Sequence, residues 1–292
     1  MNPSSPPSRK APVKGVKKSS LPMQRVFRFE SASDPRQNCF AYIPAVHKPG
    51  AAVFVSVHGL SINSEEHATL FAPYCEKYGV LMIAPTFAKE HFPDFQRLGR
   101  QGLGNRADEA LDALVTEFRA ATRTDPSPIN LFGFSGGAQF AHRYAMAHPQ
   151  HVAQVVIAAA GWYTFPDRGE KFPYGLRSIR QVPDLKFDPE RFLRVPMTVI
   201  VGDQDVLTEH LRSTDRVNRQ QGVNRLERAR NWVGAMQAAA RIYRLEPRVT
   251  LETLPGGEHT FGLLMRGAGL GDRVFARMFG PPPASKNGVH SA

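Results

Sequence analysis

Short apolar runs alternate with helical patterns along most of the chain. Runs of four to eight apolar residues predict strands, and apolar positions repeating every three or four residues predict helices. The predicted strands are 26–30, 39–43, 52–57, 80–84, 129–134, 155–160, 197–201 and 249–254. The predicted helices are 68–78, 105–121, 136–147, 224–244 and 261–279.

The strands in the middle of the chain are mostly apolar, which is typical of a parallel sheet covered by helices on both faces. The alternation of strands and helices indicates the same α/β class. The first two strands predict an antiparallel edge. Two long segments, 162–195 and 206–246, interrupt the alternation, and the first is rich in Pro, Arg and aromatic residues. We interpret 162–195 as a cap or binding insert, because long loops in compact domains are usually functional.

Composition divides the chain into a folded domain, 26–280, and two flexible ends, 1–25 and 281–292. The formal net charge is +11, and the first 25 residues hold six cations and no acid. Such an arm can contact nucleic acid or an anionic membrane surface. No aromatic residue separates its charges, which favours a solvated arm over a nucleic-acid-binding one.

The chain has two cysteines, Cys39 and Cys75, which do not make a disulfide framework. The first twenty residues lack the apolar core of a secretory signal, and no apolar run reaches the length of a membrane span. We therefore expect a cytoplasmic protein without a transmembrane segment. The sequence does not indicate an oligomeric state.

The strongest chemical motif is Gly133-Phe134-Ser135-Gly136-Gly137, which lies between a predicted strand and a predicted helix. Gly-x-Ser-x-Gly in this setting is the nucleophile elbow of α/β-hydrolases. The glycines allow a sharp turn that holds the serine hydroxyl clear of the backbone. The following helix directs N–H groups at a developing oxyanion. The motif predicts Ser135 as a nucleophile.

A nucleophilic serine needs a base, and in this fold an acid and then a histidine follow the serine along the chain. We select His259, because it directly follows the last predicted strand. Asp205 follows the strand 197–201 and is the preferred acid. Asp203 in the same turn and Glu258 beside the histidine are the alternatives.

The turn that ends the strand 52–57 is predicted to complete the site. The N–H groups of Leu60 and Gly136 are the expected oxyanion donors. His58 is upstream of the serine, so we interpret it as bracing this loop rather than as a second base. No histidines or cysteines recur at a convincing metal-ligand spacing, and no metal site is predicted.

Over residues 26–280 the sequence resembles the α/β-hydrolase superfamily, and within it the esterases of the polyhydroxybutyrate-depolymerase and feruloyl-esterase type. Ala138 departs from the depolymerase pattern, which usually has a further glycine there. The resemblance implies ester hydrolysis through an acyl-enzyme, without a cofactor. The residues behind the resemblance are Tyr42-Ile43-Pro44, Val57-His58-Gly59, Tyr78-Gly79-Val80 with Ala84-Pro85, Gly133 to Gly137, and Gly257 to Phe261.

The expected function is hydrolysis of a small-molecule carboxylic ester, with Phe134, Trp162 and Tyr163 binding the substrate. Packing of the 162–195 segment explains the last two aromatics equally well. Thioester or amide cleavage by the same residues is one alternative. A non-catalytic binding protein with an anion-binding arm is the other.

Overall fold

The computed structural model describes residues 21–100, 102–208 and 211–281. The predicted tail from residue 282 onward, and the first twenty residues of the predicted arm, lie outside the described residues. Their assignment as flexible ends stays a prediction.

Eight strands form one sheet in the order β1-β2-β4-β3-β5-β6-β7-β8. The first two strands run antiparallel to their neighbours, and all other neighbouring strands are parallel. The strands are β1 (Phe27–Glu30), β2 (Asn38–Tyr42), β3 (Val53–Val57), β4 (Leu81–Pro85), β5 (Ile129–Phe134), β6 (Val152–Ala158), β7 (Met197–Gly202) and β8 (Val249–Leu254).

Helices cover both faces of this sheet. In the described residues they are α1 (Ser64–Tyr78), α2 (Ala107–Thr122), α3 (Gly136–Ala147), α4 (Pro189–Phe192), α5 (Asp215–Gln221), α6 (Arg225–Ile242), α7 (Phe261–Gly267) and α8 (Leu270–Phe279). The helices α1, α7 and α8 share one apolar cluster with the sheet. The helices α2, α3, α4 and α6 share the other. The predicted α/β-hydrolase architecture is confirmed.

The central strands are mostly apolar because both of their faces are buried. In β3, Val53 and Val55 contribute to one apolar cluster, and Phe54 contributes to the opposite one. In β5, Leu131 packs into the first cluster and Phe132 into the second. The carboxyl ends of these parallel strands form the edge that carries the candidate site.

The prediction of one closing helix over 261–279 is wrong. The chain forms two helices there, α7 ending at Gly267 and α8 beginning at Leu270. Gly269 between them has a φ of 69°, a left-handed conformation that interrupts an α-helix.

The 162–195 segment is mostly irregular and contains only the short helix α4. It packs Phe172, Val182 and Leu185 into the same apolar cluster as α2, α3 and α6. Part of the segment therefore contributes to the core, and its interpretation as a cap or binding insert stays a prediction. Within the described residues, no helix combines the length and the apolar character needed to cross a membrane.

Candidate active site

Loops after four parallel strands converge at the carboxyl edge of the sheet. Ser135 directly follows β5, Asp205 lies three residues beyond β7, and His259 lies five residues beyond β8. The turn after β3 begins at His58. These are the loops in which the sequence predicted the chemistry.

Ser135 occupies the sharp turn between β5 and α3. Its φ of 53° and ψ of −110° are unusual for a residue with a side chain. Its N–H donates to the Ala158 carbonyl on β6 at 2.9 Å. A Cβ on Gly133 would lie 2.2 Å from the Gly137 oxygen, and a Cβ on Gly137 would lie 2.1 Å from the Val57 oxygen. Both flanking glycines are therefore required by close backbone contacts.

Ser135, His259 and Asp205 form a continuous chain of hydrogen bonds. His259 Nε2 lies 3.0 Å from Ser135 Oγ, and His259 Nδ1 lies 2.7 Å from Asp205 Oδ2. An ionised carboxylate only accepts, so Nδ1 carries the imidazole hydrogen and Nε2 is free to accept the serine proton. The His259 ring also stacks on Phe134, with 5.1 Å between ring centroids.

The loops after β7 and β8 are joined by backbone contacts that fix Asp205 relative to His259. The Gln204 N–H donates to the Gly257 carbonyl at 3.0 Å. Asp203, the alternative acid, accepts the Gly256 N–H at 2.8 Å instead of contacting the imidazole. Glu258, the other alternative, is exposed to solvent. Of the three carboxylates, Asp205 is the one in contact with His259.

The turn after β3 lies directly against the serine. A Cβ on Gly136 would lie 3.3 Å from the Leu60 nitrogen, so the two expected oxyanion donors are neighbours. His58 is buried; its Nδ1–H donates to the Gly59 carbonyl at 2.6 Å, and its Nε2 accepts the Phe87 N–H at 3.0 Å. Burial lowers the pKa of His58 to about 4. His58 therefore braces this loop as a neutral imidazole.

A cleft of about 610 Å³ opens beside Ser135. Phe134, Leu60 and Phe261 give it apolar walls, and Glu66 and Arg225 add charges. The lining residues are Gly59, Leu60, Ser61, Asn63, Glu66, Phe134, Ser135, Leu207, Arg225, His259, Thr260, Phe261 and Gly262. None of them belongs to the 162–195 segment, so within the described ranges this segment does not roof the cleft.

Trp162 and Tyr163 do not lie where a substrate-binding role requires. Trp162 is 3% exposed and lies beneath the Arg143 guanidinium, 4.3 Å from the ring centroid. Tyr163 is fully buried and stacks on Trp232, with 4.9 Å between centroids. Neither ring lines the cleft. Packing, the alternative interpretation of these two aromatics, agrees with their positions, whereas Phe134 does line the cleft.

Sequence reasoning missed Arg225, the first residue of α6. Its Nη1 donates to Asp205 Oδ1 at 3.0 Å, on the opposite side of the carboxylate from His259. An arginine in a long helical pattern carries no signal that it pairs with an aspartate 20 positions earlier. The helix pattern was recognised, but its contact was not.

One group of metal-ligand side chains occurs among the described residues, away from the cleft. One ligand atom each from Asp112, His148 and His151 lies within 4.8 Å of the others. His148 Nε2 already contacts Asp108 at 2.8 Å, and His151 Nδ1 contacts Asp112 at 3.1 Å. Hydrogen bonds between the side chains account for this grouping. The expectation that the protein needs no metal stays a prediction.

No protein-family model matches the sequence, and no curated protein sequence matches it. Solved structures do match. The LpqC poly(3-hydroxybutyrate) depolymerase from Bordetella parapertussis is 27% identical, with a TM-score of 0.73 over 89% of this chain and 91% of that one.

Two further structures share the fold at lower identity. Poly(aspartic acid) hydrolase-1 from Sphingomonas sp. KT-1 is 22% identical, with a TM-score of 0.70 over 84% of this chain and 97% of that one. The fluorophosphonate-binding serine hydrolase FphF from Staphylococcus aureus is 12% identical, with a TM-score of 0.55 over 86% and 96%. By its strand order and by these matches, the chain has the α/β-hydrolase fold and is similar in structure to serine hydrolases of that fold.

Proposed function

We propose that the protein is a carboxylic-ester hydrolase that acts through an acyl-enzyme on Ser135. The observation that carries the proposal is the hydrogen-bonded chain from Ser135 Oγ through His259 to Asp205. A serine hydroxyl is a weak nucleophile until an adjacent base takes its proton, and His259 Nε2 is at the distance this transfer needs.

The contacts support a two-stage reaction. Ser135 Oγ attacks the ester carbonyl while its proton passes to His259 Nε2, and Asp205 stabilises the resulting imidazolium. The Leu60 and Gly136 N–H groups stabilise the oxyanion of the tetrahedral intermediate. Its collapse transfers the proton to the leaving alcohol and leaves the acyl group on Ser135. Water, activated by His259, then releases the carboxylic acid and restores the serine.

One comparison favours an ester over an amide or thioester: the solved structure at 27% identity is named for the depolymerisation of poly(3-hydroxybutyrate), which is a polyester. The cleft opens directly at Ser135 between apolar side chains, which suits the acyl part of a small substrate.

A series of nitrophenyl esters of increasing acyl length tests this proposal. We expect wild-type protein to hydrolyse them and Ser135→Ala to lower kcat by about 10⁵-fold or more. Ser213→Ala, an exposed serine, is the matched control and should be unaffected. Activity that persists in Ser135→Ala contradicts the nucleophile. An anilide or thioester of the same acyl group that turns over faster than the ester contradicts the substrate class.

A further inference from the structure

A buried arginine lies directly behind the proposed triad acid. Arg225 is 5% exposed and Asp205 is 1% exposed. Arg225 Nη1 donates to Asp205 Oδ1 at 3.0 Å and to the Leu207 carbonyl at 3.3 Å. The other carboxylate oxygen, Oδ2, contacts His259 Nδ1 at 2.7 Å. The Asp205 carboxylate therefore bridges a guanidinium and an imidazole, and each partner contacts its own oxygen.

The position of Arg225 is held by the start of α6. The Asn224 side chain caps the helix by accepting the Glu227 N–H at 2.9 Å. The Glu227 carboxylate in return accepts the Val223 N–H at 2.9 Å. These reciprocal bonds fix the first turn, so the Arg225 side chain leaves the helix from a defined point.

Helix stability does not explain an arginine at this position. The first turn is the positive end of the helix dipole, where a cation is unfavourable. Among the described residues, the one carboxylate that pairs with Arg225 is Asp205. Arg228, one turn later, shows the contrasting case: it binds the carbonyls of Gly222 and Gly161 and is a structural arginine.

We infer that Arg225 is a positioning residue of the proposed ester hydrolase, which holds the Asp205 carboxylate against His259 and opposes protonation of the imidazole. The first effect follows from the bond to Oδ1, which fixes the carboxylate rotation. The second follows from charge, because a guanidinium beyond the carboxylate repels an imidazolium. This inference rests on the proposed function for its kinetic consequences.

Other charged or titratable groups surround the pair, and Arg225→Gln and Arg225→Lys leave all of them unchanged. Glu66 of α1 faces the site across the cleft. Tyr163 after β6 lies near Asp205, and burial together with that carboxylate raises its pKa, so it stays neutral. Arg228 follows on α6, and Asp203 and Glu258 lie on the flanking loops.

Three variants separate positioning from folding: Arg225→Gln removes the charge, Arg225→Lys keeps it, and Arg228→Gln removes the structural arginine. We expect Arg225→Gln to lower kcat/KM roughly 10–100-fold, mainly through kcat. The acid limb of its pH–rate profile should move upward by about 0.5–2 pH units. The reason is that the guanidinium, which contacts the same carboxylate as the imidazole, no longer repels the imidazolium. Arg225→Lys should keep the acid limb of the pH–rate profile near its wild-type position. Arg228→Gln should lower the stability of the protein and leave the acid limb unchanged.

A second readout does not depend on catalysis. In a Ser135→Ala background, NMR titration of the His259 imidazole should show protonation at higher pH when Arg225→Gln is added. An unchanged titration, or an equal change with Arg228→Gln, overturns the inference even if the enzyme is active. If wild-type protein hydrolyses no ester, the proposed function fails, and the titration still decides the role of Arg225.

Discussion

The two aspartates after β7 make different contacts, so asparagine at each position separates their roles. Asp205 accepts hydrogen bonds from two partners, His259 Nδ1 at 2.7 Å and Arg225 Nη1 at 3.0 Å. An asparagine side chain offers one carbonyl oxygen and one NH₂ group, so it can satisfy only one of these donors.

Either orientation of Asp205→Asn damages the site. With the oxygen toward Arg225, the NH₂ group faces His259 and forces the hydrogen of the imidazole onto Nε2, where it cannot take the serine proton. With the oxygen toward His259, the buried guanidinium loses its counter-charge. In serine proteases the corresponding change lowers kcat about 10⁴-fold. Loss of a bond to a buried charged group costs about 1.5–3 kcal/mol of stability.

We therefore expect Asp205→Asn to lower kcat on a nitrophenyl ester by about 10³–10⁴-fold, with KM within about threefold. Asp203→Asn is the matched control: its carbonyl oxygen can still accept the Gly256 N–H, so kcat should stay within about fivefold of wild type. More than a tenth of wild-type kcat in Asp205→Asn, or an equal loss in Asp203→Asn, would refute this reasoning.

Two further predictions concern stability. Gly137→Ala should lower the free energy of unfolding by about 3 kcal/mol or more, because its Cβ would meet the Val57 oxygen at 2.1 Å. Gly234→Ala in α6 is the control, because its new Cβ meets nothing within 4 Å, and it should not destabilise the protein. Equal melting temperatures for the two variants would contradict the prediction. The pKa of His58 is lowered to about 4 in the folded protein, so between pH 6.5 and 4 the unfolded state binds a proton there and the folded state does not. The free energy of unfolding should therefore fall by about 3 kcal/mol as pH falls from 6.5 to 4. Urea titrations of His58→Gln should show a flatter pH dependence, and an unchanged dependence would contradict the assignment.

The order of elements was predictable because burial on both faces makes strands such as β4 appear in the sequence as uninterrupted apolar runs. The bounds of β5 and α3 agree with the prediction, since Gly133 and Gly137 mark the turn between them. The closing helix was mispredicted because its apolar spacing continues across residues 267–269, where a left-handed glycine turns the backbone.

The residues of the candidate site were also predictable only in part. Ser135 and His259 were predicted from local motifs that follow strands. Trp162 and Tyr163 were assigned to substrate because aromatic composition does not distinguish a cleft wall from a core, and the distinction depends on packing against Arg143 and Trp232. Arg225 was missed because its role depends on a contact across 20 positions that no local pattern encodes.

Covalent labelling with a fluorophosphonate, followed by peptide mapping, is the most direct test of Ser135 as the nucleophile. We expect a single phosphonylated residue per chain, Ser135, with labelling lost in Ser135→Ala and strongly slowed in a His259→Ala variant that still folds. An adduct on any other residue, or no adduct on folded wild-type protein, would contradict the assignment of Ser135 as the nucleophile.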